Sequence, residues 1–345
     1  MPDSATCSLN QNHSPAASPP RLGFVGVGWI GLNRLEAIAA SQLAEVVAVA
    51  DPNEQAATQA ARRSGANKAT YQELLDSDLD ALVIATPSAL HARQAISALD
   101  AGKAVFCQKP LGRNGAETAA VVAAAQRANR LLGVDFSYRH TAAMRALRKL
   151  IESGELGEIF AVEATFHNAY GPDKPWFYQR SQAGGGCLLD LGIHLVDLAL
   201  WALDFPTVRS ARGLLRHQGQ KLTTSGDDVE DYASGLIELE DGPSIQLACS
   251  WRAPAGCDAQ IGLRFFGTRG GAELSNMNGS FYDFRAEHFH CDRSRHTLFA
   301  GTDDWGARAA LAWLRQLAVS RNFRPEISQA TTVANTLDLL SGCYR

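Results

Sequence analysis

Arg21-Leu22-Gly23-Phe24-Val25-Gly26-Val27-Gly28-Trp29-Ile30-Gly31-Leu32 reads as a short apolar strand, a glycine turn and the opening of a helix. In this G-x-G-x-x-G pattern Gly26 permits the tight turn, Gly28 lets backbone approach a pyrophosphate, and Gly31 lets the helix pack closely on the strand. Trp29 and Ile30 begin that helix, whose first amides face the phosphates. A glycine pattern alone is weak. Here the next apolar run ends on Asp51, twenty positions beyond Gly31, where a carboxylate accepts hydrogen bonds from an adenosine ribose. A carboxylate there repels a 2′-phosphate, and Pro52 and Asn53 follow it rather than arginine or serine, so the expected cofactor is NAD in preference to NADP. The competing reading makes Asp51 the cap of a helix starting near Asn53.

Outward from this motif, short apolar runs alternate with alanine-rich helical stretches, the signature of parallel strands joined by crossover helices. Strands are expected at 22–27, 45–50, 81–85, 104–107 and 132–135, with helices at 30–40, 54–64, 89–101 and 115–129. This is an α/β fold built on a doubly wound parallel sheet, with its ligand at the carboxyl ends of the strands. Thr86-Pro87 and Gln108-Lys109-Pro110 fall at two such ends. A helix near 141–153 follows, and beyond Gly157 the runs at 158–168, 232–240, 244–252, 260–266 and 271–275 alternate with period two, before helices at 304–320 and 328–342. The expected division is a tail over 1–20, a dinucleotide-binding domain over 21–140, and a C-terminal α+β domain over 141–345 carrying a large, mostly antiparallel open sheet.

A second stretch, Gly184-Gly185-Gly186 followed by Cys187 to Trp201, has helical length and is apolar except for Asp190, His194 and Asp197. Residues three and four apart share a helix face, so the three polar groups point one way. A helix otherwise apolar all round is buried, and its polar groups need partners or a job. The bland alternative is a solvated stripe.

At 345 residues the chain exceeds what one core usually serves. A net charge of −4 without any long basic cluster excludes a nucleic-acid footprint, and no apolar run has the character of a membrane span. Seven cysteines, odd in number and without C-x-x-C spacing, suit unpaired thiols in a reducing cytoplasm. The first twenty residues lack the charged start and apolar core of a secretion signal and read as a disordered tail. His288, His290 and Cys291 have ligand chemistry but no second cluster, so no metal is expected.

Four stretches together resemble the glucose-fructose oxidoreductase/inositol dehydrogenase (Gfo/Idh/MocA) family from about Arg21 to the C-terminus: Gly26 to Gly31, Ala85-Thr86-Pro87-Ser88-Ala89-Leu90-His91, Ala101 to Leu111 with Gln108-Lys109-Pro110 at its centre, and Gly184 to His194. The resemblance implies a Rossmann NAD(P) domain contacted by Thr86, Pro87, His91, Gln108 and Lys109. It also implies hydride transfer between nicotinamide and a secondary hydroxyl of a sugar, sugar acid or inositol-like polyol, in a homo-oligomer, dimer or tetramer. Lys109 matches the lysine of the family's Glu-Lys-Pro motif, and Asp190 and His194 match its aspartate and histidine. His194 then takes the hydroxyl proton, for which an unperturbed pKa of about 6.5 is suited. Lys109 stabilises the developing alkoxide, and Asp190 anchors a substrate hydroxyl or orients His194. The competing readings are a surface lysine, although only six lysines stand against twenty-six arginines, and a satisfied buried histidine. Asp197 reads as a packing residue.

The family usually carries glutamate where this chain has Gln108, which removes a negative charge beside Lys109. Weaker substrate candidates are Arg139, His167, Asn168, Trp176 and Arg180; for His167 plain sheet-face polarity is an equal reading. Two rival functions keep the same fold: a non-catalytic NAD(P)- or sugar-sensing regulator, and an NAD-dependent glycosidase using transient hydride transfer.

Overall fold

A computed structural model describes residues 18–222, 226–240 and 242–342. Most of the expected N-terminal tail, together with Cys7 and Cys343, lies outside the described residues. Strands β1 (Arg21–Val25), β2 (Glu45–Ala50), β3 (Asn67–Lys68), β4 (Ala81–Ile84), β5 (Ala104–Cys107) and β6 (Leu132–Val134) form one parallel sheet in the order β3-β2-β1-β4-β5-β6. The order reverses between β1 and β4, which opens the ligand crevice at their carboxyl ends. β1 and β4 are buried almost completely, as strands covered by helices on both faces must be.

Two glycines let the first helix, Trp29–Ser41, meet this sheet. Gly26 has φ of +83°, and a Cβ on Gly31 would stand 2.1 Å from the Gly26 carbonyl oxygen. The helix therefore starts in contact with the turn.

The second sheet has nine strands: β7 (Ile159–Asn168), β8 (Val208–His217), β9 (Gln220–Lys221), β10 (Tyr232–Leu239), β11 (Ser244–Ser250), β12 (Ala259–Gly267), β13 (Gly270–Asn276), β14 (Asp283–His290) and β15 (Arg295–Thr302). Their order is β15-β14-β13-β12-β7-β11-β10-β8-β9, with β7 and β11 parallel and the other pairs antiparallel. Helices Ala142–Glu152, Ile193–Ala202 and Gln329–Ser341 pack on it. Along β7, Val162, Ala164 and Phe166 face these helices, while Glu163, Thr165 and His167 take the opposite face.

Sequence patterning misses β3, β8, β9, β14 and β15. On β14 the buried phase is Phe284, Ala286 and His288, so a histidine interrupts the apolar alternation. β15 is an edge strand, largely exposed, and has no buried phase to display.

Helix Arg308–Val319, near the end of the chain, lies on the first sheet, with Trp313 and Leu314 buried beside Phe106 and the Phe106 and Trp313 rings 5.5 Å apart. The segment Arg180–Ala202 is apolar enough by composition to span a bilayer, but its most apolar stretch is 89% buried within the protein, which makes it a core helix.

Gly31→Ala is expected to force the first helix off the glycine turn and to lower stability by about 1–3 kcal/mol, the usual cost of overpacking. Urea unfolding of the variant checks this. An unchanged midpoint would show that the turn yields without cost.

Candidate active site

The crevice over β1 is built for a dinucleotide. The carboxylate of Asp51 accepts the Val27 amide through Oδ2 and the Asn53 amide through Oδ1, each at 2.8 Å. It thereby braces the glycine turn. The helix Glu54–Ser64 is capped instead by the Asn53 side chain, which accepts from Gln55 and Ala56, so the capping reading of Asp51 gives way. One amide per carboxylate oxygen leaves acceptor capacity for ribose hydroxyls. A Cβ on Gly28 would meet nothing within 4 Å, and no side chain caps the helix that begins at Trp29. This open space in front of free amides fits a pyrophosphate. Trp29 is exposed at its rim and Ile30 half-buried.

Further along the crevice, His91 is 1% exposed and joins two strand ends. Its Nε2 lies 2.6 Å from the Thr86 carbonyl oxygen and its Nδ1 2.7 Å from that of Pro110, while the Thr86 hydroxyl donates to Gln94. Burial lowers the His91 pKa. A neutral ring has one N–H, so it donates to one of these carbonyls and packs against the other, which places His91 between the loops around the crevice. Pro87 stands at the start of helix Ser88–Asp100, and the Lys109–Pro110 peptide is cis.

Gln108 shows what its departure from glutamate accomplishes. Its Nε2 donates to Asp135 Oδ2 at 3.2 Å, and its Oε1 accepts the Lys109 amide at 2.8 Å. Asp135 is fully buried and accepts Arg34 Nε on the same oxygen at 2.8 Å, while its Oδ1 has no partner. A glutamate at 108 would set a second carboxylate against Asp135, whereas the amide donates to it. Arg34 and Asp135 carry no sequence signal that ties them to position 108; only the adjacency of β5 and β6 brings them together.

The polar line of the buried helix finds three separate partners. A π turn, Leu188–Gly192, precedes the α-helix Ile193–Ala202. π turns of this kind recur at functional sites. Buried Glu230 anchors the start, accepting the Gly186 and Leu188 amides at 2.9 Å.

Asp190 is held by Lys109, whose Nζ donates to its Oδ1 at 2.8 Å and to its backbone oxygen at 2.7 Å; the Trp251 indole donates to Oδ2 at 3.0 Å. An ammonium has three N–H donors, so one remains on Lys109. Asp190 thus fixes the lysine, and among the described residues no hydrogen bond joins it to His194.

His194 is 7% exposed and lies edge-on to Tyr138 at 4.8 Å and near Phe166 at 6.3 Å. Burial first, and the positive charge of Lys109 second, hold its pKa well below the ordinary histidine value. It is a neutral imidazole with an acceptor nitrogen, as a proton-accepting group requires. Asp197, 1% exposed, pairs with Arg139 through Nε at 2.9 Å and through NH2. Burial raises the Asp197 pKa against the opposing pull of Arg139. The line is therefore no solvated stripe.

The weaker candidates separate. Arg139 is committed to Asp197 and lies against Phe136, Trp201 and Phe205. His167 lies on the sheet face opposite Phe166, bonded to Ser250 Oγ at 2.7 Å and stacked on Tyr232. This is the sheet-face reading, because neighbours on a strand alternate. Asn168 shares the Phe166 face, and its Oδ1 is buried without a partner. Trp176 stacks on Phe177 at 3.8 Å in the turn before the helix. Arg180 lines a cavity of about 490 Å³ together with Arg113, Glu230 and Asp338. Lys109, Asp190 and His194 do not line that cavity. Among the described residues no three His, Cys, Asp or Glu side chains form a metal-holding group. Trp251 and Tyr138 escape sequence reading, since each looks like one more apolar residue at the end of a strand or in a turn.

Two family models match the chain: the oxidoreductase family with NAD-binding Rossmann fold over residues 20–136, and the GFO/IDH/MocA C-terminal domain over residues 144–273. Among curated relatives, levoglucosan dehydrogenase of Pseudarthrobacter phenanthrenivorans is 35% identical over 64% of this chain; the match spans 60% of that enzyme's length. A dTDP-3,4-didehydro-2,6-dideoxy-α-D-glucose 3-reductase of Streptomyces violaceoruber is 34% identical over 69% of each chain. Among solved structures, a protein from gentamicin A biosynthesis crystallised in complex with NAD superposes with a TM-score of 0.79 at 26% identity, covering 98% of this chain and 97% of that one.

Gln108→Glu is expected to destabilise the protein by about 1–3 kcal/mol, the cost of an uncompensated buried polar clash. Adding Asp135→Asn to the same chain should recover most of the loss. A double-mutant cycle by chemical denaturation reads the coupling; additive single effects would mean that residues 108 and 135 do not share a charge.

Proposed function

The chain belongs to the Gfo/Idh/MocA oxidoreductase family, and from that premise we propose that it is an NAD-dependent dehydrogenase oxidising a secondary hydroxyl of a sugar, sugar acid or inositol-like polyol. The observation that carries this reading is the pairing of a fixed ammonium with a neutral buried imidazole: Lys109 spends two donors on Asp190 and keeps a third, beside His194. The named activities of the two relatives, on levoglucosan and on a dTDP-sugar, support a carbohydrate substrate.

A nicotinamide dinucleotide in the crevice supplies the hydride acceptor. The chain's own groups handle the oxygen and its proton. The free N–H of Lys109 holds the reacting oxygen and stabilises negative charge as it develops there. Neutral His194 takes the hydroxyl proton. Asp190, tied to Trp251 and Lys109, keeps the ammonium in place, and the Gln108–Asp135–Arg34 network sets the backbone of Lys109.

Asp51 supports NAD over NADP, because its carboxylate sits at the end of β2 with no arginine beside it in sequence to accept a phosphate. The thiols of Cys107, Cys187, Cys249, Cys257 and Cys291 are free, which supports a cytoplasmic setting. The broad second sheet supports assembly as a dimer or tetramer, with Leu214 and Leu236 exposed on it.

The test is NADH formation by purified protein with NAD or NADP and a panel of levoglucosan, methyl glucoside, D-glucose, sugar acids and myo-inositol. Turnover with NAD and a loss of roughly 100- to 1,000-fold in Lys109→Met are expected. Cofactor binding without turnover across the panel would favour the sensing regulator. In the active enzyme the acidic limb of kcat/KM should lie below pH 6.5, because burial and Lys109 depress the His194 pKa from that value. A limb at or above 7 would assign the proton to another group.

A further inference from the structure

Tyr138 sits in the short turn Ser137–His140 that follows β6, directly against the candidate base. It is 6% exposed, and its ring is enclosed by aromatic neighbours: His194 at 4.8 Å, Trp305 at 4.5 Å, Phe166 at 5.7 Å and Phe284 at 6.2 Å. Such a socket is what a phenylalanine would fill. Yet the residue carries a hydroxyl, and among the described residues nothing hydrogen-bonds to it.

The polar neighbours bond elsewhere. Asp190, whose charge adds to burial in pushing the phenol's pKa up, receives Lys109 on one oxygen and Trp251 on the other, and makes no hydrogen bond to the phenol. Trp305 donates its indole N–H to the Phe281 carbonyl at 3.0 Å. The ring is buried, but the hydroxyl is not a fully enclosed orphan atom, so it reaches open space beside His194 with its donor available. Burial and Asp190 together keep the phenol protonated, so it is a donor.

We propose that the Tyr138 hydroxyl is a substrate-contacting group, donating a hydrogen bond to an oxygen of the sugar or polyol that lies between His194 and Lys109. This rests on the dehydrogenase reading above. It adds a third contact to the reacting end of the substrate: His194 accepts, Lys109 donates with charge, and Tyr138 donates without it. An uncharged donor distinguishes a hydroxyl-rich substrate from an apolar alcohol, because the latter leaves the phenol unpaired.

The test is Tyr138→Phe, which keeps the ring in its socket and deletes only the hydroxyl. Three quantities are read beside the wild type: kcat and KM on whichever of levoglucosan, methyl glucoside, D-glucose, the sugar acids or myo-inositol the wild type oxidises, NADH affinity by fluorescence, and the melting temperature. The expected result is a roughly ten-fold fall in kcat/KM, mainly through KM, with NADH affinity unchanged and the melting temperature equal or higher. A stability that does not fall while substrate binding does separates this role from packing. Undiminished kcat/KM in an active background overturns the inference alone, as does a loss of activity that tracks a fall in melting temperature or in NADH affinity. A wild-type protein silent on the whole panel of sugars, sugar acids and myo-inositol overturns the dehydrogenase reading, and this inference with it.

Discussion

The charged contact between Lys109 and Asp190 is the constraint on which the rest of the site depends. Lys109 belongs to the carboxyl edge of the parallel sheet and Asp190 to the helix that packs under the second sheet. The pair is short and mostly shielded, with each side chain 17% exposed. It is reinforced by the Asp190 backbone oxygen and by the Trp251 indole. Charge-assisted hydrogen bonds of this kind are stronger and more directional than neutral ones. The two sheets are thereby registered to one another at this contact, and one ammonium N–H is left over.

Around that contact the protein spends its buried polar groups in a consistent way. Asp197 is neutralised by Arg139, Asp135 by Arg34 and Gln108, and Glu230 by helix amides. Each of these carboxylates is engaged by protein donors and fixes an element: the turn after β6, the backbone at Lys109, the start of the long helix. His194 and the Tyr138 hydroxyl are different, since no hydrogen bond from a described residue engages either. Both lie beside one another, with their rings 4.8 Å apart, on the side of the helix that carries Asp190 and its lysine.

Much of the first domain was legible because its signals are local. The glycine turn, Asp51 and the apolar runs of β1, β2, β4 and β5 lie within short windows, and a parallel strand buried on both faces shows as an uninterrupted apolar run. The second sheet was half legible: β7, β10, β11, β12 and β13 alternate cleanly, while β8 with its arginines and the edge strand β15 do not. Lys109, Asp190 and His194 stood out because polar residues in apolar surroundings are conspicuous in one dimension. Trp251 and Tyr138 did not, because aromatic residues in such surroundings look like core.

The sequence by itself therefore determined the fold class, the dinucleotide turn, and the identity of three polar groups that needed a use. Tertiary structure decided which of them meet. It set Lys109 on Asp190 rather than leaving Asp190 to orient His194, turned His167 to the far face of its strand, bound Arg139 to Asp197, and carried helix Arg308–Val319 back onto the first sheet. The reason is one of range. Periodicity and turn chemistry act over a few residues, whereas the contacts that build the site join residues 81 positions apart in the case of Lys109 and Asp190 and 61 in the case of Asp190 and Trp251. Only packing of the two sheets brings such pairs within hydrogen-bond distance.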